Sequence, residues 1–146
     1  MIGERLAMGL REKQREWIED FSIIEDTTER FSALVDRGRH SAPLPDEART
    51  DAHLVPGCTS RVWITGWLDD AGRCQFRTEA DAPSVHAVAT LLCDLYSGAT
   101  PAEVVEVEPD CLTELKIDKM LSPTRLRGIG QIRRRLRELA EGWSAT

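Results

Sequence analysis

Between residues 10 and 35 apolar side chains recur as Leu10, Trp17, Phe21, Ile24, Phe31, Leu34 and Val35, with charges between them. This spacing predicts an amphipathic helix, or two helices broken near Asp26-Thr27-Thr28. It is expected to end near Gly38, and residues 39–50, with Pro43 and Pro45, read as an irregular connection. The period then changes to two. Val62, Ile64, Gly66 and Leu68 alternate with Trp63, Thr65 and Trp67, which predicts a strand over 61–68. Asp69-Asp70-Ala71-Gly72 is a turn, and residues 73–79 return with Cys74, Phe76 and Thr78 on one face and Arg73, Gln75 and Arg77 on the other. Ala52 to Val55 supply a third short strand.

Helical spacing resumes at Pro83. Val85, Val88, Ala89, Leu91, Leu92 and Leu95 form a strongly apolar helix, expected to be central and buried and to stop at Gly98. Thr100-Pro101 followed by Glu103 combines an N-cap, a first-turn proline and a capping-box glutamate, opening a short helix through Val104, Val105 and Val107. Pro109 stops it. A further short helix is predicted from Cys111 to about Met120, and Ser122-Pro123 opens the last one, through Ile129, Ile132, Leu136 and Leu139. The order predicts an α+β fold, a small three-stranded antiparallel sheet packed by N-terminal and C-terminal helices. One domain is expected over 1–146, with a tail over about 1–9 and a core over about 10–141.

Composition narrows the function classes. With 146 residues, 41% hydrophobic and 30% charged, the chain can bury a core without metal or disulfide staples. A net charge of -6 argues against nucleic acid as a partner. The run Arg133, Arg134, Arg135 and Arg137 sits beside Glu138 and Glu141 and reads as a solvated helix face. No apolar run approaches the roughly 20 residues of a membrane span, and MIGERLAMGL has no apolar signal-peptide region, so no membrane contact and a cytoplasmic location are expected. In a reducing compartment Cys58, Cys74, Cys93 and Cys111 would be free thiols.

The cysteines are 16, 19 and 18 positions apart and contain no C-x-x-C pair, so no metal site is expected. His40, His53 and His86 lie in separate contexts; an imidazole beside Cys58 stays open, but no spacing supports a Cys-His hydrolase. Gly128-x-Gly130 follows a proline-initiated helix rather than a strand and is set aside as a nucleotide fingerprint. The only lysines are Lys13, Lys116 and Lys119, with no phosphate cradle, so pyridoxal phosphate and cofactors generally are not expected. Cys58 stands apart because it follows the Pro56-Gly57 turn and precedes a strand, where another protein's backbone can approach closely. Position alone leaves both a reactive and a structural role open.

The segment Val55-Pro56-Gly57-Cys58, with Ser60 and Val62-Trp63, resembles the active-site signature of the SufE family of sulfur acceptors, also called the Fe-S metabolism associated domain. Further similarities follow in the same order: Phe31 to Arg39 with Pro43-Leu44-Pro45, Asp81 with the helix through Tyr96, Gly98 to Glu103, and Leu121 to Gly128. The resemblance covers roughly Phe31 to the end of the last helix. The chain departs from it at Met120, where many members have histidine, and at Thr59 and Arg61, where glutamines are frequent.

The resemblance implies a sulfur carrier working with a cysteine desulfurase of the SufS type rather than a stand-alone enzyme. Cys58 would be the nucleophile that accepts persulfide sulfur, stimulating desulfurase turnover, and would deliver it to a downstream iron–sulfur scaffold for cluster assembly. Gly57, Thr59 and Ser60 would form the persulfide loop, with the thiol shielded until docking. The Ser122-Pro123 helix end and Arg125 are expected near Cys58, lending positive potential to thiolate and persulfide. A non-covalent allosteric activator of the desulfurase is the alternative. A cluster scaffold would need several grouped ligands. Whether the chain forms a homodimer stays open.

Overall fold

A computed structural model describes residues 9–144; the tail expected over 1–9 lies, apart from Gly9, outside the described residues. Helix α1 (Leu10–Ser22) and helix α2 (Thr27–Arg39) are separate. The break follows from local chemistry. Asp26 caps α2 by accepting the Glu29 N–H at 2.9 Å, so the chain must restart its helix there. Buried Arg30 then donates Nε to the carbonyls of Phe21 and Ile24, at 3.2 and 3.0 Å, and Nη1 to that of Leu115 at 2.8 Å. It thereby satisfies the open end of α1, whose last carbonyls have no helical partner.

Helix α2 ends at Arg39, next to Gly38 as expected, and Gly38 is buried against the later helix α3 (Pro83–Tyr96). A Cβ at Gly38 would lie 3.0 Å from the Ala87 Cα, a backbone atom that cannot move alone. Gly38→Ala is expected to lower stability by about 1–3 kcal/mol despite its better helix propensity, as overpacking does. Denaturant unfolding checks this: an unchanged or higher midpoint would mean the helices are not in contact there.

Strands β1 (Val62–Leu68) and β2 (Cys74–Ala80) pair antiparallel, with Val62 opposite Ala80 and Gly66 opposite Phe76. The sheet has two strands, not the three expected. Residues 52–55 do not make a strand because Asp51–His53 forms a 3-10 turn and Pro56 has no N–H to continue a ladder. What remains is one bridge, Leu54 to Trp63, and the bond from Val55 N–H to the Val62 carbonyl at 2.8 Å.

Val62, Ile64, Cys74, Phe76 and Thr78 are buried as alternation predicts, whereas Leu68, of the same parity at the end of β1, is 40% exposed. They pack on α3, whose Val88, Leu92, Leu95 and Tyr96 are fully enclosed. Then come α4 (Pro101–Glu106), α5 (Cys111–Glu114), a 3-10 turn at Ile117–Met120 and the long helix α6 (Pro123–Ser144). The helix expected to run from Cys111 to Met120 is split by Lys116, whose φ of +57° is left-handed. The buried apolar residues of sheet and helices form one cluster.

The arginine run on α6 is only partly a solvated face. Arg134 and Arg137 are exposed and pair with Glu138 and Glu141. Arg133, however, is buried, with its guanidinium 4.7 Å from the centre of the Tyr96 ring and Nη2 donating to the Val107 carbonyl at 3.1 Å. No helix among the described residues is long and apolar enough to cross a membrane.

Candidate functional site

The bond between Val55 and Val62 closes a loop at the start of β1, and Cys58 sits in it between a turn at Pro56–Gly57 and a bend at Thr59–Ser60. Gly57 has φ +80°, the left-handed value a turn takes after a proline at its second position. A Cβ there would also meet the Gln131 Cγ at 3.2 Å, so two independent constraints select glycine. Gly57 and Thr59 are exposed, while Ser60 and Cys58 are partly buried.

The Cys58 side chain turns inward onto α6 and packs against the core. Its thiol donates to the Gly128 carbonyl at 3.4 Å. Gly128 lies directly beneath the sulfur: a Cβ there would stand 3.6 Å from it, in van der Waals contact. Burial pushes the Cys58 thiol above its ordinary value. The carbonyl acts in the same sense, because it accepts from S–H and repels a thiolate. In this resting arrangement the sulfur is held protonated and guarded.

The other cysteines belong to the core. Cys74, Cys93 and Cys111 are all buried. Burial raises Cys74 to about 11 and Cys111 to about 12, and pushes Cys93 higher still. Cys58 alone of the four is partly accessible. Among the described residues no group of histidine, cysteine or acidic side chains is placed to hold a metal ion.

The expected positive environment would come from the start of α6 and from Arg125. Ser122 does cap α6, accepting the Arg125 N–H at 3.2 Å. Cys58, however, rests on Gly128, the sixth residue of that helix, past the first turn to which the dipole effect is confined. Arg125 shares the Gly128 side of α6 one turn earlier, but its guanidinium is exposed and donates to the Ser84 hydroxyl at 2.6 Å. The histidines are occupied elsewhere. His86 accepts the Ala80 N–H on Nδ1 at 3.1 Å and reaches the Gly38 carbonyl with Nε2 at 3.0 Å. His53 bonds Thr50 and His40 the Asp36 carbonyl.

Three residues of α6 that sequence reasoning did not select contact the loop: Gly128 under Cys58, Gln131 under Gly57, and Arg135, whose Nη2 donates to the Ala52 and Leu54 carbonyls at 3.3 Å each. A glycine inside a helix costs about 1 kcal/mol relative to alanine, which was the available signal that Gly128 has a packing reason. Pro56, Gln131, Arg134, Arg135 and Glu138 line an open cleft of about 300 Å³ beside the loop.

Comparison with known proteins bears on this arrangement. The family model for SufE, the Fe-S metabolism associated domain, matches residues 15–140. An uncharacterized SufE-like protein of Synechocystis sp. is 32% identical over 115 residues, covering 79% of this chain and 72% of that protein. An uncharacterized SufE-like protein of Rhizobium meliloti is 27% identical over 130 residues, covering 86% and 92%. SufE-like protein 1, chloroplastic/mitochondrial, of Arabidopsis thaliana is 26% identical over 80% of this chain, which spans 32% of the plant protein. In fold, the solution structure of a hypothetical protein from Thermus thermophilus matches with a TM-score of 0.75 at 22% identity, covering 92% of this chain and 97% of that one. Since the family model takes in the loop, the sheet and nearly all of α6 together, the chain belongs to the SufE family, a domain associated with Fe-S metabolism.

Proposed function

We propose that the protein is a sulfur carrier that takes persulfide sulfur from a cysteine desulfurase on Cys58, thereby stimulating its turnover, and delivers it to a downstream scaffold for iron–sulfur cluster assembly. The observation that carries this reading is the placement of Cys58 alone among the cysteines at the surface, on a loop, with the other three sealed in the core. In the transfer, the Cys58 thiolate attacks the terminal sulfur of the donor's persulfide. The donor's S–S bond breaks, a new one forms on Cys58, and the donor cysteine leaves as thiolate. The sulfane sulfur changes carriers with no net oxidation.

The resting geometry fits a carrier that must not react at random. A thiol held protonated on the Gly128 carbonyl is a weak nucleophile, because the thiolate is the attacking species. Swinging out about Gly57, Thr59 and Ser60 removes both the burial and the carbonyl, so the thiol becomes a better nucleophile on leaving the body. Arg125 belongs in this reading to the face the donor approaches, one helical turn from the Cys58 seat. Arg125→Ala is expected to leave the rate and pH profile of Cys58 alkylation in the free protein unchanged while slowing sulfur transfer from the donor several-fold. Unchanged transfer would remove Arg125 from the site.

Intact-protein mass spectrometry after mixing the protein with a cysteine desulfurase and cysteine tests the proposal. Added sulfur mapping to the peptide that contains Cys58 is the expected result. Stimulated turnover with no sulfur on the chain would instead make the protein a non-covalent allosteric activator.

A further inference from the structure

We propose that Arg135 is a positioning residue for Cys58: its guanidinium, bound to the carbonyls of Ala52 and Leu54, clasps the thiol-bearing loop onto α6, and opening of that clasp exposes the thiol. The clasp takes its purpose from the carrier reading above, but its geometry stands independently of it.

Residues 128, 131 and 135 are three and four positions apart and so lie along one side of the helix. Each meets the incoming chain in turn. Gly128 lies beneath Cys58, Gln131 beneath Gly57, and Arg135 reaches the stretch just before the turn. The first two contacts are a weak thiol bond and van der Waals packing. Arg135 supplies charge-assisted bonds, the strongest attachment of the three.

The carbonyls it takes are left over from local structure. In the 3-10 turn Asp51–His53 the closing bonds go from His53 N–H to Thr50 and from Leu54 N–H to Asp51. The Ala52 and Leu54 oxygens therefore point outward for a donor from elsewhere. At 3.3 Å and partly exposed, the two bonds can be exchanged for water, which suits a latch rather than a permanent anchor. Neighbouring Arg134 and Arg137 are engaged by Glu138 and Glu141 on α6 itself, so Arg135 is the member of this run that crosses to the loop.

The test is maleimide labelling of the free, native full chain, with each cysteine followed by peptide mapping. Arg135→Ala is expected to label at Cys58 about tenfold faster than wild type, with Cys74, Cys93 and Cys111 still protected. Arg135→Lys, which keeps a cationic donor, is expected to return most of the way to the wild-type rate, and Arg134→Ala to match wild type. Labelling of Arg135→Ala at the wild-type rate overturns the proposal. So does labelling of all four cysteines together, which would mark general loss of structure, and so does a lysine variant as fast as the alanine one. No desulfurase is present, so the result is separable from sulfur loading. A wild-type chain that takes up no sulfur would overturn the carrier reading and leave the Arg135 result in place.

Discussion

Raising the pH from 8 to about 10.5 is expected to remove several kcal/mol of folding stability, a large share of a domain total of about 5–15 kcal/mol. The cause is the three core thiols. Burial raises Cys74 to about 11 and Cys111 to about 12, and drives Cys93 further in the same direction. A group whose folded value lies above its unfolded value favours the folded state fully below the unfolded value, near 9 for these thiols. That contribution is lost as the pH climbs toward the folded value. Each unit of separation is worth about 1.4 kcal/mol, so at about pH 10.5 each thiol has withdrawn at most about 2 kcal/mol.

Chemical denaturation in reducing buffer at the two pH values measures this. Cys111→Ala should lower stability at pH 8 by leaving a small cavity but should flatten the alkaline loss by about a third, which separates titration from packing. Equal unfolding free energies for wild type at pH 8 and 10.5 would mean that these thiols ionise in place and that Cys58 is not the exceptional cysteine.

What could be read from the sequence was local. Thr100 and Glu103 announce their capping box three residues apart, and both bonds form, at 3.2 Å from the Glu103 N–H and 3.0 Å from the Thr100 N–H. Asp26 marks the break between α1 and α2 in the same way. Alternation assigned Cys74, Phe76 and Thr78 to the buried face because a strand's two sides are set by parity alone. The position of Cys58 after a glycine turn was legible for the same reason.

What lay beyond reach depends on residues far apart in the chain. Gly38 marks the end of α2, but that it also seats against Ala87 is not visible locally, and Arg133 looks solvated until Tyr96 appears beneath it. The seat of the thiol is the extreme case. Gly128 is 70 residues from Cys58, and Arg135 is 83 from Ala52, so no local period encodes either contact. The thiol rests on Gly128, one helical turn beyond Arg125 on the same side of α6.

Cys58→Ser is expected to abolish sulfur uptake and the stimulation of desulfurase turnover that depends on it, while leaving thermal stability within about a degree of wild type. Serine fits the seat: its hydroxyl is slightly smaller than the thiol and can donate to the Gly128 carbonyl as S–H does. Nothing in the packing around the loop should notice the exchange, since Cys58 lies at the margin of the core rather than within it. The chemistry, by contrast, has no substitute. A hydroxyl is far less acidic and less nucleophilic than a thiol at neutral pH, and an oxygen cannot carry the sulfane sulfur on a stable S–S bond. Nor can Cys74, Cys93 or Cys111 take over, because each would have to leave the core to meet a donor. A folded Cys58→Ser protein that still stimulates turnover like wild type would leave the loop as a docking element and the thiol as incidental. One that docks on the desulfurase with wild-type affinity, yet neither gains sulfur nor raises turnover, would assign to the Cys58 sulfur atom the whole difference between binding the donor and relieving it of its product.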